Sequence, residues 1–147
     1  MSSSTLHKQL VQEYISAERK RILIVNHEDD VNFALRLVLE EEGQIVDRRN
    51  CFQVDSFNDS ISALNNFEKG LYDLLLIAVV MPGMNGFELA KEIRKIDGKV
   101  KMCFIIAGEI PNKVRFDAHE EGNRDRFIKL PIENKDLIEQ IGRMVHS

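Results

Sequence analysis

The chain is poor in the residues that announce most chemistries. Two cysteines, Cys51 and Cys103, are too few for a disulfide framework and lack metal-ligand spacing. Cys103 lies in an apolar run, where a free thiol behaves as a small hydrophobe. Basic charge is not in excess: 20 Lys and Arg stand against 24 Asp and Glu, for a net charge of −4. That balance argues against the basic face of a nucleic-acid binder, and Arg19-Lys20-Arg21 reads as a solvated strand entry. No apolar stretch approaches the length of a membrane span, and the polar N-terminus is not a signal peptide. A cytoplasmic protein without membrane or nucleic-acid partners is expected. Glycines do not fall in P-loop spacing, and no internal repeat or low-complexity tract occurs beyond Ser2-Ser3-Ser4. What remains is a chain of 147 residues, 44% hydrophobic and 30% charged, enough for one globular domain with a real core.

Apolar runs of strand length alternate with segments of helical period. Arg21 to Val25 reads as a first strand. Val31, Ala34, Leu35, Val38 and Leu39 then mark one helix face, with Asp29 and Asp30 as caps and Gly43 as a stop signal. Phe52 to Phe57 is a second strand, followed by a short helix carrying Ile61, Leu64 and Phe67 and closed by Gly70. Leu74 to Val79 is a third strand, and the next helix, from Gly86, turns Phe87, Leu89, Ala90, Ile93 and Ile96 inward. Met102 to Ile106 is the fourth strand. Pro111 opens a polar helix ending near Gly122. Arg126 to Ile128 is the fifth strand, and Leu137, Ile138, Ile141, Met144 and Val145 define a final helix. Five strand–helix units, with strands apolar on both sides, imply a parallel sheet covered by helices on both faces.

Two segments stand outside this alternation. Thr5 to Lys20 places Leu6, Leu10, Val11, Tyr14 and Ile15 on one helical stripe, suited either to packing on its own domain or to a dimer or partner contact. Gln44 to Cys51 exceeds what a helix–strand link needs and is either a surface loop or an extension of a neighbouring element. The expectation is thus an N-terminal amphipathic extension, 1–20, and a domain, 21–147, with no output domain.

The stretch Asp73 to Gly86, DLLLIAVVMPGMNG, resembles the third strand and following loop of a response-regulator receiver domain. The RILIV strand with its acidic successor and Phe127-Ile128-Lys129-Leu130-Pro131 extend that resemblance over roughly Arg21 to Val145. It implies a flavodoxin-like α/β fold with strand order 2-1-3-4-5, whose ligands gather at the strand carboxyl ends. It also implies a reaction in which an aspartate takes a phosphoryl group from a histidine kinase. That reaction uses Mg²⁺ held by carboxylates, and a lysine and a hydroxyl bind the product. Position by position, the metal-binding acids correspond to Asn26 and His27, and the nucleophile to Ala78. The hydroxyl corresponds to Ala107, or to Ile106 after a shift of one, and the lysine to Leu130. Lys129 is one residue away and, in a strand, faces the other side. The resemblance further implies a cis Leu130-Pro131 peptide and a rotamer-switching aromatic at Phe127, although that ring reads first as an ordinary edge-of-core aromatic.

On this reading the site has lost its nucleophile, its Mg²⁺ ligands and its phosphate-reading groups. His27 with Glu28, Asp29 and Asp30 could be drawn as a transition-metal site, but the two aspartates suit a helix start better. Asp73 lies at the amino end of the third strand, roughly 15 Å away at strand rise. No Ser/His/Asp, Cys/His or paired-carboxylate set can be assembled near the strand ends, so no enzymatic activity is expected. The expectation is a pseudo-receiver, a phosphorylation-independent protein-interaction module in two-component signalling. It binds no Mg²⁺ or other cofactor, acts through a protein partner, and carries a homodimer as an alternative. The interaction face that the resemblance implies, between the Pro111 helix, the fifth strand and the final helix, includes Val114, Arg115, Phe127 and Lys129. Two further readings stay open: a sensor binding a small apolar or redox-linked ligand in the altered pocket, and an inactivated variant of an ordinary phosphoaccepting regulator.

Overall fold

The computed structural model describes residues 4–9, 19–108 and 126–147. Five parallel strands, β1 (Lys20–Val25), β2 (Phe52–Phe57), β3 (Leu74–Ala78), β4 (Lys101–Ala107) and β5 (Arg126–Leu130), form one sheet in the order β2-β1-β3-β4-β5. Beside a helical stretch over residues 4–9 and a π turn over Val38–Glu42, the described helices are α1 (Asp29–Leu37), α2 (Gly43–Val46), α3 (Ser60–Asn66), α4 (Gly86–Ile96) and α5 (Asn134–Val145). Helix expected from Pro111, and with it Val114 and Arg115, falls outside the described residues, as do Leu10 to Ile15.

The strands are apolar on both sides because both sides are covered. Leu23, Val25, Leu75, Ile77, Met102 and Phe104 pack with Ala63 of α3 and with Phe87, Leu89, Ala90 and Ile93 of α4. Their neighbours Ile22, Ile24, Leu74, Leu76, Cys103 and Ile105 point the other way, onto Leu35 and Leu39 beyond β1 and Leu137, Ile138 and Ile141 of α5. Successive residues alternate between these two cores, as strand geometry requires. Burial pushes the Cys103 thiol up to about 12, so it stays protonated, and both cysteines are free and buried.

The largest departure from expectation is at Gly43. It does not stop the first helix: its φ is −52°, and the helix runs from Asp29 through a π turn, Val38–Glu42, into α2. The glycine is needed for space instead, since a Cβ there would stand 2.7 Å from the Asn50 carbonyl oxygen. The segment from Gln44 therefore begins as helix and closes with a turn over 47–50.

The π turn, which inserts one residue into the helical repeat, carries Glu40, whose Oε2 accepts the Val54 N–H at 2.9 Å. Strand β2 is a sheet edge, so this carboxylate caps an amide that would otherwise be open to another chain. Arg36 Nε donates to Glu40 Oε1 at 2.9 Å and holds it in place.

Smaller departures have similar local causes. Asp29 and Asp30 lie inside the first turn of α1, where their charge suits the helix dipole, while Glu28 is the N-cap and makes no side-chain cap bond. Ile96 is 40% exposed rather than turned inward, because α4 ends there and Asp97 leaves the helix. At the amino edge, Lys101 Nζ donates to the carbonyls of Met144 (2.9 Å) and Ser147 (2.8 Å), closing the C-terminal end of α5 with a cation.

Candidate functional site at the strand carboxyl ends

An open cleft of about 690 Å³ lies outside the carboxyl ends of β1, β3, β4 and β5, bounded by α1 and the start of α5. It is the position at which an open α/β sheet gathers ligands, where the strand order reverses between β1 and β3. Asn26 and His27 enter it from β1, Ala78 from β3, Ala107 from β4, and Leu130 with Pro131 from β5. The structure thus brings together the five positions that the sequence singled out. The Leu130-Pro131 peptide is cis.

Strand register decides the two ambiguous positions. Ala107 pairs with Leu130 and Ile106 with Lys129, without a bulge. Ile105 and Ala107 line the cleft, whereas Ile106 packs on the opposite core. Of the two candidates for the hydroxyl's place, Ala107 is therefore the one that borders the cleft. By the same alternation Leu130 packs with the α1–α5 core, and Lys129 is exposed on the other face together with Phe127. Phe127 is 44% exposed, with its ring 5.8 Å from Phe104 and 6.3 Å from Phe87. This is an aromatic leaning on the edge of the core.

Polar groups enter the cleft from the end of β1 and the start of α1 (Asn26, His27, Glu28 and Asp30) and from the start of α5 (Asn134). Asn26 is buried, and its carbonyl accepts the Asn32 Nδ2–H at 2.8 Å, which ties the strand end to the first turns of α1. His27 Nε2 lies 3.8 Å from Glu28 Oε1, with both side chains largely in solvent. Among the described residues no three His, Cys, Asp or Glu side chains converge as a metal site would require. Asp29 points instead toward Asn58, whose Nδ2 donates to it at 3.2 Å. Asp73 stands at the amino edge, accepting the Arg21 N–H at 2.8 Å.

Beneath Ala78 the backbone is tightly set. Gly86 N–H donates to the Val79 carbonyl at 2.9 Å, and Val79 N–H to the Ile105 carbonyl at 3.0 Å. A capping box fixes the start of α4: Asn85 Oδ1 accepts the Glu88 N–H at 3.0 Å, and Glu88 Oε1 accepts the Asn85 N–H at 3.1 Å. In the MPGMNG loop ahead of this cap, Gly83 supplies the left-handed turn at φ +75°.

Sequence reasoning missed the cleft's other wall. Val31 and Ala34 line it from α1, Val38 from the π turn that follows, Ile132 from the link after β5, and Asn134 and Leu137 from α5. The apolar spacing of α1 identified a face but not that its upper part borders open space. The signal was the short side chain at Ala34, which is exposed rather than buried.

The receiver resemblance is independently supported. The response regulator receiver domain family matches residues 22–142. The response regulator receiver protein CpdR of Brucella abortus is 29% identical over 127 residues, covering 86% of this chain and 97% of its own length. The uncharacterized transcriptional regulatory protein YkoG of Bacillus subtilis is 30% identical over 125 residues, covering 84% of this chain, which spans only 50% of that protein. Among solved structures, the receiver domain of the sensor histidine kinase PA1611 from Pseudomonas aeruginosa superimposes with a TM-score of 0.70 at 21% identity, over 87% of this chain and 98% of that one. Its active-site cleft coordinates a magnesium ion. With the family matched across most of its length and the sheet order that the family implies, this chain belongs to the response regulator receiver domain family.

Proposed function

We propose that this receiver no longer takes a phosphoryl group and works as a phosphorylation-independent protein–protein interaction module in signal transduction. The observation that carries this reading is Ala78, which stands in the cleft at the place the family resemblance gives to the nucleophile. A methyl group cannot attack phosphorus.

The surrounding donors support the same reading. Mg²⁺ prefers several hard oxygen ligands, carboxylates foremost. Asn26 and His27 offer one amide oxygen and an imidazole. The two carboxylates that also border the cleft, Glu28 and Asp30, do not converge with a third His, Cys, Asp or Glu among the described residues. Leu130 puts an apolar side chain where a phosphate-binding cation would be needed. The residues present do not fit the ion, and no chemical step is routed through it. Without nucleophile or metal, the domain has no catalytic turnover of its own and signals by contact with a protein partner in the cytoplasm. Phe127 and Lys129 are the described residues of the candidate contact face; Val114 and Arg115, which the family resemblance adds to it, lie outside the described residues. No helix among the described residues is long and apolar enough to cross a membrane.

Two measurements on the purified protein test this. Adding Mg²⁺ should leave the melting temperature unchanged, and incubation with a small phosphodonor plus Mg²⁺ should leave the intact mass unaltered. A Mg²⁺-dependent rise in melting temperature, or a mass gain of one phosphoryl group, would overturn the reading.

A second reading, a ligand sensor, is favoured by one feature: the cleft volume lies within the range of small-molecule sites, and its walls are largely apolar. Native mass spectrometry and an absorbance spectrum of the protein as purified separate the two. The interaction module is expected to run at its bare mass. A retained organic species, lost when Ala34 is enlarged to Phe, would move the assignment to the sensor.

A further inference from the structure

The outer face of α1 carries apolar side chains with nothing over them. Phe33 is 65% exposed and Leu37, one turn later, 43%. They sit on α1, which packs on the sheet face opposite to the one that Phe127 leans on. Such residues scattered singly need no explanation, but two adjacent on one helix beside an apolar cleft form a patch. The same chain holds a second uncovered apolar surface. Residues 4–9 are helical and Leu6 is 50% exposed. The sequence continues that stripe with Leu10, Val11, Tyr14 and Ile15. Within one chain Leu6 and the α1 patch both remain exposed, so they do not cover each other.

We propose that they meet between chains: the N-terminal segment of one copy lies on the α1 face of a second copy, and reciprocally, in a two-fold dimer. Three observations favour a second copy over a foreign partner. Both halves of the contact are present in this chain, which is what a closed, isologous pair requires. Their charges are complementary, since residues 28–42 carry six acids against the single Arg36, whereas residues 4–9 carry Lys8 and His7 after Leu6 and no acid. The segment also leaves the domain at the right place. Arg19, at its base, shares a surface depression with Arg36, Glu40 and Glu41, at the end of α1. In such a dimer each segment starts near the α1 of its own copy and is received by the α1 of its partner. Leu6 and Leu37 are then withdrawn from water, and Lys8 approaches the acids of the other copy.

This inference is independent of whether Ala78 has ended phosphorylation, and its test reads assembly alone. The full-length chain is run in sedimentation velocity over a wide concentration range, with Leu6→Ser, Lys8→Glu and the double change Phe33→Ser with Leu37→Ser. All four positions are exposed, and unchanged thermal unfolding of each variant confirms an intact domain. Wild type is expected to dimerise. Leu6→Ser and the double variant should each weaken dimerisation roughly tenfold or more. Lys8→Glu should weaken it less, and by an amount that shrinks as salt is raised. A wild-type chain that stays monomeric overturns the proposal. So does a dimer indifferent to Leu6→Ser, because the α1 patch would then be covered by something other than the N-terminal segment.

Discussion

Replacing Gly86 with alanine is expected to cost this domain about 3 kcal/mol of stability, the upper part of the usual range for forcing an extra carbon into a packed site. The glycine has no unusual φ, so the reason is space rather than conformation. A Cβ at this position would run into the Ala78 carbonyl oxygen, with the carbonyl carbon 3.0 Å away and Ile77 Cγ2 3.1 Å away. The first two are backbone atoms of a fully buried central strand, and no rotamer change can move them. Relief would have to come from α4, whose start is pinned by the Gly86–Val79 hydrogen bond and the Asn85–Glu88 capping box. Alanine's better helix propensity returns at most about 1 kcal/mol, which is less than the clash. Urea denaturation of the two proteins measures the difference directly. A Gly86→Ala variant as stable as wild type would mean that α4 can slide away from β3, and that the floor of the cleft is softer than described.

Phe104→Ala should be the more damaging change, with an expected loss of about 3–5 kcal/mol, as for other buried aromatics cut to alanine. Phe104 is fully buried on β4, and its ring lies 4.5 Å from Phe87 at a 45° tilt. Removing it deletes the transfer energy of the ring and leaves a cavity between sheet and α4. It also loses an aromatic pair contributing roughly 0.5–1.5 kcal/mol beyond area alone. Phe127, touching the same cluster from the edge but 44% exposed, should cost much less when changed to alanine. The ordering of the two variants in thermal unfolding is the check. A Phe127→Ala loss equal to that of Phe104→Ala would mark Phe127 as a core residue rather than a side chain available for contact.

Much of this fold is legible in the sequence because burial on both sides of a parallel strand leaves an unmistakable signature. The run Leu74 to Ala78 is apolar at every position and buried at every position. The site followed from the fold, since strand alternation alone forces Ala107 and Leu130 to one side and Ile106 and Lys129 to the other. What was not legible depends on contacts between elements distant in sequence. Gly43 looks like a helix stop by local convention, yet its cause is Asn50, seven residues away across a turn. Phe33 and Leu37 could not be separated from the buried stripe beside them, because which flank of a helix meets the sheet is settled by tertiary packing. The role of Glu40 was invisible for the same reason: its partner, the Val54 amide, belongs to another strand.

Asn50 has a consequence of its own for how this sequence can drift. It is buried between two glycines, and they make room for different parts of it. Gly43 clears its backbone oxygen, while Gly142 on α5 clears its side-chain amide, where a Cβ would stand 2.6 Å from Oδ1. The three positions are therefore coupled unequally. Trimming Asn50 to a smaller residue frees position 142 to accept a side chain. It does nothing for position 43, because every residue at 50 keeps the same carbonyl. Descendants of this chain can exchange Gly142 and Asn50 together, but Gly43 stays fixed for as long as the turn keeps its shape.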